Sequence, residues 1–156
     1  MSIAPTFAKY LASQNIAYDV VTHQPAMSSS RAAEASRISG DRIAKAVVLR
    51  DANGFILAIL PASRHIRLKD LETRLGFDVD LATGQEVEQL FEDCARGAVP
   101  PAGECYGLDV IVDDSIEAQP DVYLEGGDHT TLIHLSHAQF ERLTQKAWRG
   151  HFSVHD

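Results

Sequence analysis

Cysteine is scarce in this chain. Cys94 and Cys105 are the two present, and their spacing matches no metal-binding or redox signature. They read as buried structural thiols in a reducing compartment. No apolar run approaches the roughly 20 residues that cross a bilayer. The start, Met1-Ser2-Ile3-Ala4-Pro5-Thr6, lacks a basic stretch followed by an apolar one, so no secretory signal is expected. Gly-x-x-x-x-Gly-Lys-Ser/Thr, Gly-x-Gly-x-x-Gly and Gly-x-Ser-x-Gly are all missing, which argues against the nucleotide and hydrolase sites built on them. Seven histidines include no pair spaced around a glutamate as zinc peptidases require. Basic residues are outnumbered 14 to 22, and a net charge of -8 argues against wholesale coating of nucleic acid. A cytoplasmic protein is expected, with no metal, cofactor or membrane association.

The length of 156 residues suits one domain, 1–156, with a substantial core. Charge is unevenly placed. Residues 31–74 carry nine basic and five acidic side chains, whereas residues 75–135 carry fourteen acidic ones and only Arg96. The segment 31–74 can form a basic face on an acidic molecule, or be a solvated charge pattern with no partner.

Hydrophobic spacing predicts a helix near residues 3–14, a strand over 16–22 and a serine-capped helix near 30–38. Ala44 to Arg50 and Phe55 to Leu60 read as a hairpin around Asp51-Ala52-Asn53-Gly54. A short helix carries Leu68, Leu71 and Leu75 and stops at Gly76. A brief strand is expected over 78–82. Thr83-x-x-Glu86 and Ser136-x-x-Gln139 are capping boxes that open two more helices. Further strands are expected over 108–112, 122–124 and 131–135, whereas the tail from Trp148 to Asp156 shows no pattern. The mixture predicts an α+β fold with a mixed, mostly antiparallel, curved or barrel-like sheet and surrounding helices.

Two features carry chemistry. Lys45 sits in Ala44-Lys45-Ala46-Val47-Val48-Leu49, where alternation places it on one face with Val47 and Leu49. An ammonium on an apolar face is costly unless paired, so it either grips a carbonyl or carboxylate, or snorkels to the edge. The second feature is Gly97-Ala98-Val99-Pro100-Pro101-Ala102-Gly103. Its prolines stiffen the loop and its glycines permit close backbone approach, so N–H groups near Gly103 can face an oxyanion. An ordinary surface loop has the same composition.

The order His23-x-Pro, Lys45-Ala-Val-Val-Leu, Gly97-x-x-x-Pro-x-Gly, then Gly-Gly-Asp-His before a strand and capped helix resembles the YbaK/prolyl-tRNA synthetase-associated domain family. The resemblance spans about Phe7 to Leu143. It implies a compact fold around a barrel-like sheet and hydrolysis of mischarged aminoacyl-tRNA. It implies that Lys45 is the main functional residue and that Gly97, Pro100, Pro101 and Gly103 line its pocket. Ala102 departs from the bulkier residue common there. On this reading Lys45, Gly103 and His129 are expected to be catalytic, and His23, Asp128 and Thr131 to join the loop in binding substrate; the alternatives are a polar hairpin tip for Asp128 and His129 and a helix-capping role for His23. Arg31, Arg37, Arg42 and Arg64 meet acceptor-stem phosphates. The ribose hydroxyl next to the ester helps activate water, and a synthetase or elongation factor can recruit the protein. A small amino acid is expected on the tRNA. The alternatives are a non-catalytic aminoacyl, amino-acid or protein binding module on the same fold, and a small-molecule esterase.

Overall fold

The computed structural model describes residues 3–156. Helix α1 (Pro5–Ser13) begins on a proline whose fixed φ suits a first turn, and it buries Phe7 and Leu11. After β1 (Asp19–Thr22), the Ser28 side chain accepts from the Arg31 N–H to start α2 (Ser29–Ser36). Strands β2 (Ile43–Arg50) and β3 (Phe55–Pro61) form the expected hairpin. Asp51 Oδ1 closes its turn by accepting from Asn53 N–H at 2.6 Å and Gly54 N–H at 2.8 Å. Then follow β4 (Arg64–Ile66), α3 (Leu68–Leu75), β5 (Asp80–Leu81) and α4 (Gly84–Leu90). Gly76 ends α3 at φ 85°, and Thr83 with Glu86 forms the complete capping box of α4. The second half runs β6 (Asp109–Asp113), α5 (Asp114–Glu117), β7 (Asp121–Glu125), β8 (Thr131–Ser136), α6 (His137–Leu143), β9 (Trp148–Gly150) and β10 (Ser153–His155).

The main sheet is ordered β1-β8-β7-β2-β3-β6-β9, with β5 added to the far end of β2; β4 and β10 form a separate ribbon. Pairings β1/β8, β7/β8, β2/β3, β2/β5 and β4/β10 are antiparallel, and β2/β7, β3/β6 and β6/β9 are parallel. The mixed, mostly antiparallel sheet is as expected. It is open, not closed into a barrel, because β1 and β9 stand at opposite ends of the pairing path.

Alternation sorts the central strands onto two faces. Ala44, Val48, Leu57, Ile59, Val110 and Val112 pack with Phe7 of α1, Phe140 of α6 and Phe91. Leu49, Ile56, Ala58, Leu60 and Ile111 pack on the other face with Leu71 of α3, Val79 and Phe152. The last of these explains the tail. Phe152 is fully buried, so the segment after Trp148 folds back and completes the second core.

Candidate functional site

The β2/β3 register sets Lys45 opposite Leu60, on the face of Leu49, Ile56 and Ala58. The side chain lines a cavity of about 240 Å³ with Val47, Leu49, His65, Ile66, Leu68 and Leu81. Burial pushes the ammonium below its ordinary lysine range, and the Asp156 charge opposes that shift without cancelling it. Asp156 is anchored by its own N–H, which donates to the Ser63 carbonyl at 3.0 Å. Its carboxylate meets His65 Nδ1 at 2.8 Å. That bond, with Lys45 adding to it, holds the Asp156 carboxyl below the usual range. Asp156 also borders a second hollow of about 230 Å³ formed by Ser30 and Ala33 of α2 with Gly40, Ala62 and Ser63.

The glycine-proline loop lies on the opposite face. Ala98, Pro100, Pro101 and Ala102 are buried. A Cβ at Gly103 would stand 2.5 Å from Val110 Cγ2 and 3.3 Å from Leu57 Cδ2, both on the face away from Lys45. Gly103 is therefore a packing glycine, and its main chain is enclosed by the core. The exposed part of the loop borders its own cavity of about 450 Å³ with Val87, Phe91, Cys94, Gly97 and Val99. Lys45 and the loop, expected in one pocket, line separate cavities. The reason is the two-residue period of β2, which turns Ala44, Ala46 and Val48 toward the loop side and Lys45 away from it.

His129 and its neighbours gather beside the loop. At φ 67°, His129 is a left-handed non-glycine residue. Its Nδ1 lies 2.9 Å from the Ala26 carbonyl and its Nε2 2.6 Å from the Arg96 carbonyl. Both ring nitrogens thus lie against main-chain oxygens, and the ring braces α2's approach against the loop. Asp128 Oδ1 accepts from Thr130 N–H and Thr131 N–H, and Oδ2 accepts from the Thr131 hydroxyl. Glu125 Oε2 accepts from the N–H groups of Gly127, Asp128 and His129. His23 joins this corner through its N–H to the Thr130 carbonyl at 2.9 Å. Its Nε2 is buried with no partner among the described residues. So His23, Gly97, Asp128, His129 and Thr131 form one knot, and it is remote in face from Lys45.

The four arginines divide. Arg42 donates to Asp121 through Nε at 2.8 Å and through Nη2, and lies over the Tyr123 ring. Arg64 donates to the Ser153 hydroxyl and carbonyl, holding β10 to β4. Both are occupied by the fold, which runs against their expected phosphate role. Arg31 is exposed, with Glu34 at 4.0 Å from its guanidinium, and Arg37 caps the end of α2. The cysteines are half-buried, and burial pushes the Cys94 thiol up to about 11 and Cys105 to about 12. No helix among the described residues is long and apolar enough to cross a membrane. His65 and Asp156 went unnoticed in the sequence, where nothing in the spacing links residues so far apart.

An open mixed sheet with helices on both faces makes this an α+β domain, and a half-buried lysine lines a small apolar cavity on one of those faces. The model of the aminoacyl-tRNA editing domain matches residues 23–143, and the chain belongs to that family. A crystal structure of a candidate trans-editing enzyme for prolyl tRNA synthetase superposes with a TM-score of 0.84 at 23% identity, covering 97% of this chain and 96% of the other. The hypothetical protein APE2540 superposes at 0.83 with 20% identity, covering 96% and 99%. A candidate signal transduction protein from Marinobacter aquaeolei VT8 superposes at 0.76 with 23% identity, covering 96% of this chain and 30% of the other. At such identities these likenesses concern the fold. Among curated proteins, none matches the chain by sequence.

Proposed function

We propose that this protein is a trans-editing aminoacyl-tRNA deacylase, cleaving the ester of tRNA mischarged with a small amino acid. The observation that carries this reading is the Lys45 cavity: a cation with reduced hydration facing about 240 Å³ of mostly apolar space. That volume falls below the roughly 300–1,000 Å³ of ordinary small-molecule sites, which favours a small group such as alanyl, seryl, threonyl or cysteinyl. The membership in the editing family and the relative described as acting for prolyl tRNA synthetase support the same substrate class.

In this mechanism the ester carbonyl lies against Lys45. Water attacks the carbonyl carbon, and the ammonium opposes the negative charge gathering on the tetrahedral oxygen. Because the site is partly dehydrated, that attraction is stronger than it would be in water. The acceptor end enters over α2, which borders the adjoining hollow and carries Arg31, with Arg37 at its end. The loop and His129 act from behind the sheet by fixing its shape. A synthetase or elongation factor delivers the substrate to this acidic protein.

The test is release of free amino acid from tRNAs charged with alanine, serine, threonine or cysteine, comparing wild type with Lys45→Ala. Removing one preorganised charge of this kind costs about 10²–10³ in rate. Wild-type release by Lys45→Ala contradicts the assignment. Protection of the charged tRNA instead of release identifies a binding module, and hydrolysis of small esters without tRNA identifies a general esterase.

A further inference from the structure

We propose that His65, oriented by Asp156, is the general base of the Lys45 cavity. This rests on reading that cavity as the deacylation site. Three observations carry it. His65 and Lys45 line the same cavity, brought there by β4 and β2. His65 Nδ1 lies 2.8 Å from Asp156 Oδ1, which fixes the tautomer with the proton on Nδ1 and leaves Nε2 as the basic nitrogen. Nε2 has no partner among the described residues, unlike His129, whose two nitrogens are both engaged.

The supporting frame is built for this pair. The β4/β10 ribbon sets His65 opposite Val154, and Phe152 pins the ribbon in the second core. Asp156 is held at the ribbon's end by its N–H bond to Ser63. Lys45 lines the same cavity as His65, and Asp156 is bonded to the His65 ring. His155 also borders the pair, with Nδ1 3.0 Å from the Asp156 main-chain oxygen and Nε2 3.5 Å from Asp41 Oδ1. A general base must be open to water, and His65 is exposed while Lys45 is half-buried. The two groups divide the work accordingly: the histidine meets the water and the lysine meets the carbonyl.

The step balances without a further reactant. His65 Nε2 takes a proton from water as the water oxygen bonds to the ester carbonyl carbon. The carbonyl electron pair moves onto oxygen beside Lys45. Collapse of the tetrahedral species breaks the bond to the ribose oxygen, which takes the proton back from Nε2. The products are a free amino acid and tRNA with its ribose hydroxyl restored. The acid proton of the new carboxyl group passes to solvent.

The experiment measures deacylation of tRNA mischarged with alanine by wild type, His65→Ala, Asp156→Asn and Lys45→Ala across pH, with and without added imidazole. General-base catalysis contributes typically 10²–10⁴-fold, so His65→Ala loses about 10²-fold or more in kcat with KM nearly unchanged. The acid limb of the wild-type kcat profile disappears in His65→Ala. Free imidazole restores part of the activity of His65→Ala and none of that of Lys45→Ala. Asp156→Asn falls between wild type and His65→Ala. If His65→Ala matches wild type while Lys45→Ala is inactive, the inference is overturned, the editing reading stands, and the ribose hydroxyl activates the water. If His65→Ala is slow but keeps the acid limb and ignores imidazole, His65 is a structural residue and the inference is again overturned. If Lys45→Ala also keeps full activity, the cavity itself is misassigned.

Discussion

Replacing Lys45 by methionine should raise stability while abolishing deacylation. The two side chains are similar in length, so the substitution keeps contacts with Val47, Leu49, Ile66 and Leu81. What it removes is an ammonium whose burial costs more than the Asp156 charge returns. Asp156 is not orphaned, since His65 remains 2.8 Å away. A gain of about 0.5–2 kcal/mol is typical when such a functional compromise is relieved. At about 2–4 °C per kcal/mol for a chain of this size, Tm rises by roughly 1–8 °C. The gain also depends on pH. The folded-state value lies below the ordinary 10.5, so the folded protein releases this proton first as pH rises. The cost of the buried charge is complete below the folded value, shrinks across the interval up to 10.5, and is gone above it. The variant's advantage is therefore greatest below the folded-state value and fades as pH rises toward 10.5. Urea unfolding at neutral and alkaline pH, with the slope checked for constancy, measures it. A destabilised Lys45→Met at neutral pH would refute the reasoning, because it would mean that pairing outweighs dehydration.

Gly103→Ala places a methyl 2.5 Å from Val110 Cγ2, so overpacking should cost about 1–3 kcal/mol in urea unfolding, without altering residues of the Lys45 cavity. Asp113 is fully buried and accepts from the Phe152 N–H at 2.8 Å and from Ser115, so Asp113→Ala should cost about 2–4 kcal/mol and loosen the tail. Its carboxyl is held below the ordinary value of 3.8 by those donors, so its contribution is complete above that value and is lost as pH falls through the lower folded one; acid unfolding of wild type against the variant reads this. With thiols at about 11 and 12, Cys94 and Cys105 should alkylate far more slowly than a free thiol at pH 8, as mass spectrometry over time will show.

Much of the fold was legible because its signals are local. The Asn53-Gly54 turn, the Thr83/Glu86 capping box and the Gly76 stop each depend on residues within one turn. Ser136 caps α6 as its spacing implies, although Gln139 Oε1 has no partner among the described residues, so the reciprocal half of the box is missing. What stayed hidden is non-local. β4 and β10 are three residues each and exist by pairing with one another across most of the chain. The site divides the same way. Lys45 was legible because an isolated cation interrupts an apolar strand. That it shares a cavity with His65 and not with Gly97 follows from the two-residue period of β2 and from a ribbon invisible in the sequence. The arginines show the same limit: composition marks a basic segment, but only packing reveals that Asp121 and Ser153 already hold Arg42 and Arg64.

The most direct test of the central claim is where the aminoacyl end sits. A non-hydrolysable alanyl-adenosine, with an amide in place of the ester, is titrated into labelled protein while methyl and lysine amine signals are followed by NMR. The account predicts shifts at Lys45 Nζ, Val47, Ile66 and Leu81, with Val87 and Val99 behind the sheet unmoved. Shifts confined to Val87 and Val99, with Lys45 silent, would contradict it.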